Sequence, residues 1–197
     1  MSQLWSNDPV IQQLAETLPE PPVYPHQDAY LFLLGSIISQ QLSTKVAKVI
    51  YERFLGLFPN KYPSVDEVIQ MEVEQLRSVG LSGQKSGYIR NIAVFHKENP
   101  LEAAYLNAMS DEEIIQHLTQ IKGVGRWTVE MLLMFPLARP DVFPVDDLGI
   151  QQSMIQLYGI TESGKALKQK LCTIADNWRP HRTLASKYLW KARDVGK

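Results

Sequence analysis

The sequence predicts an all-α protein on three observations. Apolar positions recur at helical spacing through most of the 197 residues. No stretch shows convincing period-two alternation, and no Asn-Gly or Asp-Gly turn joins two such stretches. The apolar runs are also bounded by helix punctuation, with Ser or Asp at the starts and Gly or Pro at the stops.

In chain order, Pro19, Pro21, Pro22 and Pro25 make an extended segment that lets the N-terminal residues reach across to a second lobe. Residues 27–40 form a strongly apolar helix, and Ser43 caps a second one running through Phe54 and Leu57, so the two make an αα-hairpin. Ser64 opens a short helix through Leu76, stopped at Gly80. Gly83 and Gly87 flank the start of the next. Ser110 and Glu113 make a capping box for a helix to Leu118, ending before Gly123-Val124-Gly125, and another helix begins near Arg126. Pro136, Pro140 and Pro144 then force a loop before Asp146-Asp147, which opens a helix through Ile155. Two more helices follow, over residues 162–175 and 180–193.

Hydrophobic residues make up 45% of the chain, enough for one substantial core or two small lobes sharing a cleft. The richest apolar run, residues 29–38, is broken by Gly35 and Ser36 and falls short of the roughly 18 residues a membrane helix needs. The N-terminus lacks the positive start and cleavage site of a secretory signal, so the expected location is cytoplasmic, nucleoid-associated if the source is bacterial. Cys172 is the only cysteine, which excludes an internal disulfide and an all-cysteine zinc or iron–sulfur site. Net charge is −1, against a uniformly basic surface, yet the charge is sorted. No Lys or Arg precedes Lys45, whereas residues 178–197 carry six basic side chains against Asp194 alone. Composition by itself reads that run as a solvated helix face.

Two segments carry chemistry. In Leu118-Thr119-Gln120-Ile121-Lys122-Gly123-Val124-Gly125-Arg126-Trp127-Thr128, the glycines permit a tight turn between helices, where backbone N–H groups and the following helix N-terminus can meet a phosphate. Taken alone, Gly-x-Gly between helices is just a turn. In Val142-Phe143-Pro144-Val145-Asp146-Asp147-Leu148-Gly149-Ile150, either aspartate can cap the next helix.

Together these segments resemble the helix-hairpin-helix DNA glycosylases, whose hairpin reads Leu-x-x-Leu-Pro-Gly-Val-Gly and continues into a helix carrying a Thr. Ile121 and Lys122 stand where that family has an apolar residue and Pro; Gly123, Gly125 and Thr128 match. Asn177-Trp178-Arg179-Pro180-His181-Arg182-Thr183-Leu184-Ala185 is similar to the Trp-x-Pro-Trp/Tyr-Arg-Ser-x-Ala stretch of the 3-methyladenine glycosylase II branch, with His181 departing from its usual aromatic residue. Within that stretch Pro180 suits a first helical turn, Arg182 a structural or phosphate-side cation, and Trp178 and Trp190 the core. The resemblance spans residues 28–190 and does not include the N-terminal β-rich domain of larger relatives.

The resemblance implies a two-lobed helical fold with its active site in the cleft, the lobes being residues 28–110 and residues 111–197 with 1–27. It implies Asp147 as catalytic carboxylate, three residues before the apolar Ile150, leaving Asp146 as a capping or supporting group. Gln41, at a helix junction, aligns with the side chain that fills the gap left by a flipped nucleotide. Lys122, Gly123, Gly125, Arg126 and Thr128 would contact the DNA backbone, and Trp127, Met131 and His181 the excised base. Trp127 occupies the position of the Schiff-base lysine in strand-cleaving members, so the enzyme would be a monofunctional hydrolase without lyase activity. The carbonyls of Thr119, Ile121 and Val124 match those that hold Na+ or K+ in the family; no other cofactor is expected. The implied partner is duplex DNA containing alkylated purines, bound by a monomer. The alternatives are a glycosylase for oxidised, deaminated or mismatched bases on this fold, and a non-catalytic helix-hairpin-helix DNA-binding module.

Overall fold

The computed structural model describes residues 5, 7–22 and 28–195, with side chains to Arg193. Among these every regular element is a helix, and no helix is long and apolar enough to cross a membrane. The chain divides into two compact bodies, one of residues 1–25 and 133–197, the other of residues 26–132.

In the body of residues 26–132, α2 (Ala29–Ser39) and α3 (Thr44–Leu55) form the expected hairpin. Asp28 caps α2 by accepting from the Leu31 amide at 3.1 Å, and Ser43 caps α3 through the Val46 amide at 3.4 Å. The single helix expected from Ser64 to Leu76 is instead two, α4 (Val65–Gln70) and α5 (Val73–Ser78). The backbone turns extended at Met71 and Glu72, and the Glu72 amide donates to the Gln75 side chain at 3.1 Å, restarting the helix. Gly80 follows at φ +104°, a value that suits a residue without Cβ. Next come α6 (Gly83–Glu98), a short unanticipated α7 (Ala103–Leu106), α8 (Asp111–Leu118) and α9 (Arg126–Met134). The Ser110–Glu113 capping box at the head of α8 forms as read from the sequence. Leu33, Leu34, Ile37, Ile38, Phe54, Ile89 and Ile92 are buried at the centre, where α6 packs on α2.

This body includes the helix-hairpin-helix segment, so the boundary falls after residue 132 rather than at the expected 110/111. The reason lies on α6: the Asn91 amide group donates to the Lys122 carbonyl at 3.2 Å, and Phe95 meets His117 edge-on at 5.0 Å.

The other body contains α1 (Pro9–Thr17), a helix not expected from the sequence, α10 (Leu148–Tyr158), α11 (Gly164–Ala175) and α12 (Arg182–Val195). Ile11, Ile150, Met154, Leu171, Trp178, Tyr188 and Leu189 form its core. Pro180 lies before α12 rather than in its first turn. Pro25 falls outside the described residues.

One buried carboxylate ties this core together. Asp8 is 5% exposed; its Oδ1 accepts from the Val10 and Ile11 amides, and its Oδ2 from Trp178 Nε1 at 2.7 Å and Tyr158 Oη at 2.8 Å. Burial and this bond push the Tyr158 hydroxyl well above its ordinary pKa. Asp8→Ala strands the buried Trp178 indole N–H and the half-buried Tyr158 hydroxyl and removes the α1 cap, and should cost about 3–4 kcal/mol in urea unfolding; a loss under about 1 kcal/mol would mean that water replaces the carboxylate.

Candidate active site and nucleic-acid interface

Asp147 sits at the N-cap of α10, in extended conformation, with its amide donating to the Pro144 carbonyl at 2.9 Å. Its Oδ1 accepts two hydrogen bonds, from the Ile150 amide at 2.9 Å and from Trp190 Nε1 at 2.9 Å. The capping and catalytic readings of this aspartate are therefore not alternatives, since the cap is what orients the carboxylate. Of the capping or supporting role expected of Asp146, the cap falls to Asp147, and Asp146 is exposed and paired with Lys168 at 2.5 Å. Residues within the Pro-rich loop are fixed by α12, through the Thr183 amide to the Pro140 carbonyl and the Val142 amide to Thr183 Oγ1, both at 3.0 Å.

Trp190 was read as core, but it is half-buried and bonded to Asp147, and its indole stacks on Phe135 at 6.1 Å with an 18° interplanar angle. Lys187 Nζ lies 5.4 Å from the centroid of that Phe135 ring, and burial lowers the pKa of its amine. Gly149 completes the arrangement. A Cβ there would stand 2.9 Å from Arg193 Nη1, 3.1 Å from Asp147 Oδ1 and 3.2 Å from Trp190 Cδ1, so any side chain would press directly on the carboxylate and its partner. Trp178, by contrast, is the core residue it was expected to be. His181 is half-buried in the turn before α12, its amide donating to the Trp178 carbonyl at 2.7 Å.

Several cations of the basic C-terminal run are bonded within the protein rather than left to solvent. Arg182 makes a two-pronged pair with Asp141, at 2.7 Å from Nε and 3.0 Å from Nη2, Arg179 joins both Asp141 and Asp176, and Lys191 donates to the Pro19 and Glu20 carbonyls. Burial alone would raise the Asp141 carboxyl, but the bonds and charge of Arg182 hold it below the usual carboxylate range. Arg182 is thus the structural cation of the two roles considered.

In the other body, the hairpin between α8 and α9 turns at Gly123, where φ is +106° and a Cβ would lie 2.3 Å from the Tyr88 ring. No other residue fits there. Gly125 faces open space, as a backbone approach to phosphate requires. Lys122 is exposed and, with Gly83, Gln84, Gly87, Tyr88 and Asn91, lines a cavity of about 350 Å³. At two of the expected backbone contacts the side chain is engaged within the protein. Arg126 is committed to carboxylates, with Nη1 and Nη2 on Glu112 at 3.1 and 2.9 Å and Nε on Glu130 at 3.0 Å. Thr128 is 3% exposed, which withdraws its hydroxyl from the surface. Met131 is buried, whereas Trp127 is 42% exposed and so is not a core tryptophan. Val124 donates its amide to the Ile121 carbonyl at 2.9 Å, one of the three carbonyls matched to a cation site.

Gln41 lies at the tip between α2 and α3, exposed, with φ +60°. The sequence shows nothing that marks this left-handed backbone, nor the partner that maintains it: Lys85, in the first turn of α6, whose Nζ donates to the Ile38 carbonyl at 2.8 Å and the Gln40 carbonyl at 2.6 Å.

Comparison with known proteins bears on the same residues. DNA-3-methyladenine glycosylase 1 of Schizosaccharomyces pombe is 36% identical over 84% of this chain and 72% of its own length. Among solved structures, the 3-methyladenine DNA glycosylase of that organism in complex with abasic DNA superposes with a TM-score of 0.85 at 33% identity, covering 97% of this chain and 94% of that one. A DNA-3-methyladenine glycosidase from Bacillus halodurans gives a TM-score of 0.85 at 32% identity, covering 99% and 89%. Longer curated relatives from Bacillus subtilis and Saccharomyces cerevisiae are spanned over 58% of their length. Residues 34–179, which include both the hairpin and Asp147, match the profile of the HhH-GPD superfamily, and the chain belongs to that family of base excision DNA repair proteins.

Proposed function

We propose that this protein binds duplex DNA and, as a monofunctional glycosylase, hydrolyses the N-glycosidic bond of alkylated purines, with Asp147 as its catalytic carboxylate. The observation that carries the reading is the oriented Asp147, held by the Ile150 amide and the Trp190 indole in a chain otherwise built like the 3-methyladenine glycosylases. As the bond to the base breaks, positive charge develops on the deoxyribose, and water adds at the anomeric carbon while the base departs with the bonding electrons. A carboxylate about 4 Å from that charge, at an effective dielectric near 20, contributes about 4 kcal/mol, roughly three decades in rate. Trp190 and the α10 amide fix the carboxylate before substrate arrives, so no reorganisation is needed at the moment of reaction.

DNA backbone contact falls to the exposed Lys122, to the open Gly125 and to the first-turn amides of α9, with the protein acting as a monomer. A monovalent cation would be held by the carbonyls of Thr119, Ile121 and Val124. Those hard oxygen donors suit it, and the Ile121 oxygen keeps a second lone pair beyond its bond to Val124. The substrates are 3-methyladenine and 7-methylguanine, which carry formal positive charge and leave readily without a second acid. The exposed Trp127 supplies an aromatic face that attracts such a cation, with Met131 and His181 as further base contacts.

Single-turnover base release from methylated duplex tests the reading. Asp147→Asn should lose about three decades in rate while binding abasic duplex within a few-fold of wild type, and Asp146→Asn should stay within a few-fold of wild type in both. The opposite pattern would reassign the catalytic group. With Trp127 at the Schiff-base position, borohydride should trap no covalent adduct and the product strand should stay intact until alkali is added; a trapped adduct lost on mutating Lys122 would identify a lyase. Wild type should release both methylated bases faster than hypoxanthine, and a folded Trp127→Ala should slow their release about tenfold, the scale of one cation–π contact. Faster release of hypoxanthine, or an unaffected Trp127→Ala, would remove Trp127 from the base contact.

A further inference from the structure

The end of α2 is a helix C-terminus that its own sequence leaves without a cation. No Lys or Arg precedes Lys45, so the last turn of α2 carries no basic side chain to match its orphan carbonyls. Lys85 supplies one from another helix. Its half-buried ammonium bonds the Ile38 and Gln40 carbonyls at 2.8 and 2.6 Å, although it lies 45 residues further along the chain than Gln40. The placement is unfavourable for Lys85 itself: it sits in the first turn of α6, at the positive end of that helix, and burial lowers the pKa of its amine. A cation kept where both its own helix and desolvation oppose it is there for what it touches. What it touches is the backbone immediately before Gln41, a non-glycine residue with φ +60° at the exposed tip. The turn is closed by the Leu42 amide on the Ser39 carbonyl at 3.1 Å, which leaves the carbonyls of Ile38 and Gln40 to the ammonium.

We propose that Lys85 is the positioning residue for Gln41, clamping the end of α2 so that the Gln41 side chain stands ready to fill the gap a flipped nucleotide leaves in a duplex. This rests on the glycosylase reading above. Lys85 touches neither the base nor the sugar in this role; it acts through the backbone conformation of residues 38–41.

The test is binding of fluorescein-labelled duplex carrying a tetrahydrofuran abasic analogue, against the same strand unpaired, because only the duplex has a gap to fill. Gln41→Ala should weaken duplex binding about tenfold and leave the single strand unchanged, the scale of a partly recovered flipping cost. Lys85→Met should do the same, and the double variant should bind the duplex no more weakly than Gln41→Ala, since a clamp has nothing to hold once the wedge is gone. Lys85→Arg, which keeps the charge and the donors, should stay within about threefold of wild type. Should Lys85→Met not fold, Lys85→Gln takes its place as the uncharged variant. Equal losses on duplex and single strand, or full additivity with Gln41→Ala, would overturn the positioning role and leave Lys85 an ordinary structural or phosphate-side cation. Base release by the wild type, measured in parallel, separates the two readings. Without release the glycosylase reading falls and the clamp's purpose with it; with release, and with Gln41→Ala selective for duplex, an unselective Lys85→Met removes the clamp alone.

Discussion

A single oxygen, Asp147 Oδ1, receives an amide from its own helix and an indole N–H from α12, and the catalytic role proposed for Asp147 rests on that double anchoring. An N-cap alone contributes about 1 kcal/mol to helix stability and fixes the side chain only relative to its own first turn. The Trp190 bond adds a second direction, so the carboxylate is referenced to two helices whose packing is the core of its body. The neighbouring positions serve the same constraint: Phe135 stacks on the indole, and Gly149 leaves room where a methyl group would crowd Asp147 Oδ1 and Trp190 Cδ1. A carboxylate pinned in this way keeps its charge in place while charge appears beside it, which is the condition for electrostatic catalysis without reorganisation.

The cations are distributed by a related logic. A protein of net charge −1 that binds a polyanion has few charges to spare, yet Arg126, Arg179 and Arg182 pair with carboxylates, and Lys85 and Lys191 bond carbonyls. These side chains set the shape of the hairpin base, the Pro-rich loop and the α2 tip. In the proposed reading, contact with DNA falls to features that carry partial charge rather than full charge, such as the first-turn amides after Gly125, together with exposed Lys122. Such contacts hold the backbone without reading sequence, which suits an enzyme that must find damage anywhere.

Asp8 performs for α1 what Asp147 performs for α10, but out of solvent: it caps a helix and at the same time bonds Trp178 and Tyr158. Two helix-capping aspartates in one body thus have different fates. The buried one has both oxygens engaged in holding the fold; the half-buried one, Asp147, keeps partial access to solvent.

The sequence by itself determined the helical class, most helix starts, the hairpin turn and the aspartate pair, because those features are local: a cap, a glycine or a proline acts within one turn of the chain. It misplaced what depends on distant partners. That the capping Asp147 carboxylate is also bonded by Trp190, some 43 residues away, is nothing the sequence marks. Arg126 and Thr128 follow the family's spacing, but Glu112 and Glu130 engage the exposed Arg126 guanidinium and the packing of α9 buries Thr128. The hairpin joined the first helices rather than the last because Tyr88, Asn91 and Phe95 on α6 reach it, and Gln41 took its left-handed backbone beside a lysine from another helix. Each of these outcomes is a meeting of side chains far apart in the chain, and only tertiary packing brings such side chains within bonding distance.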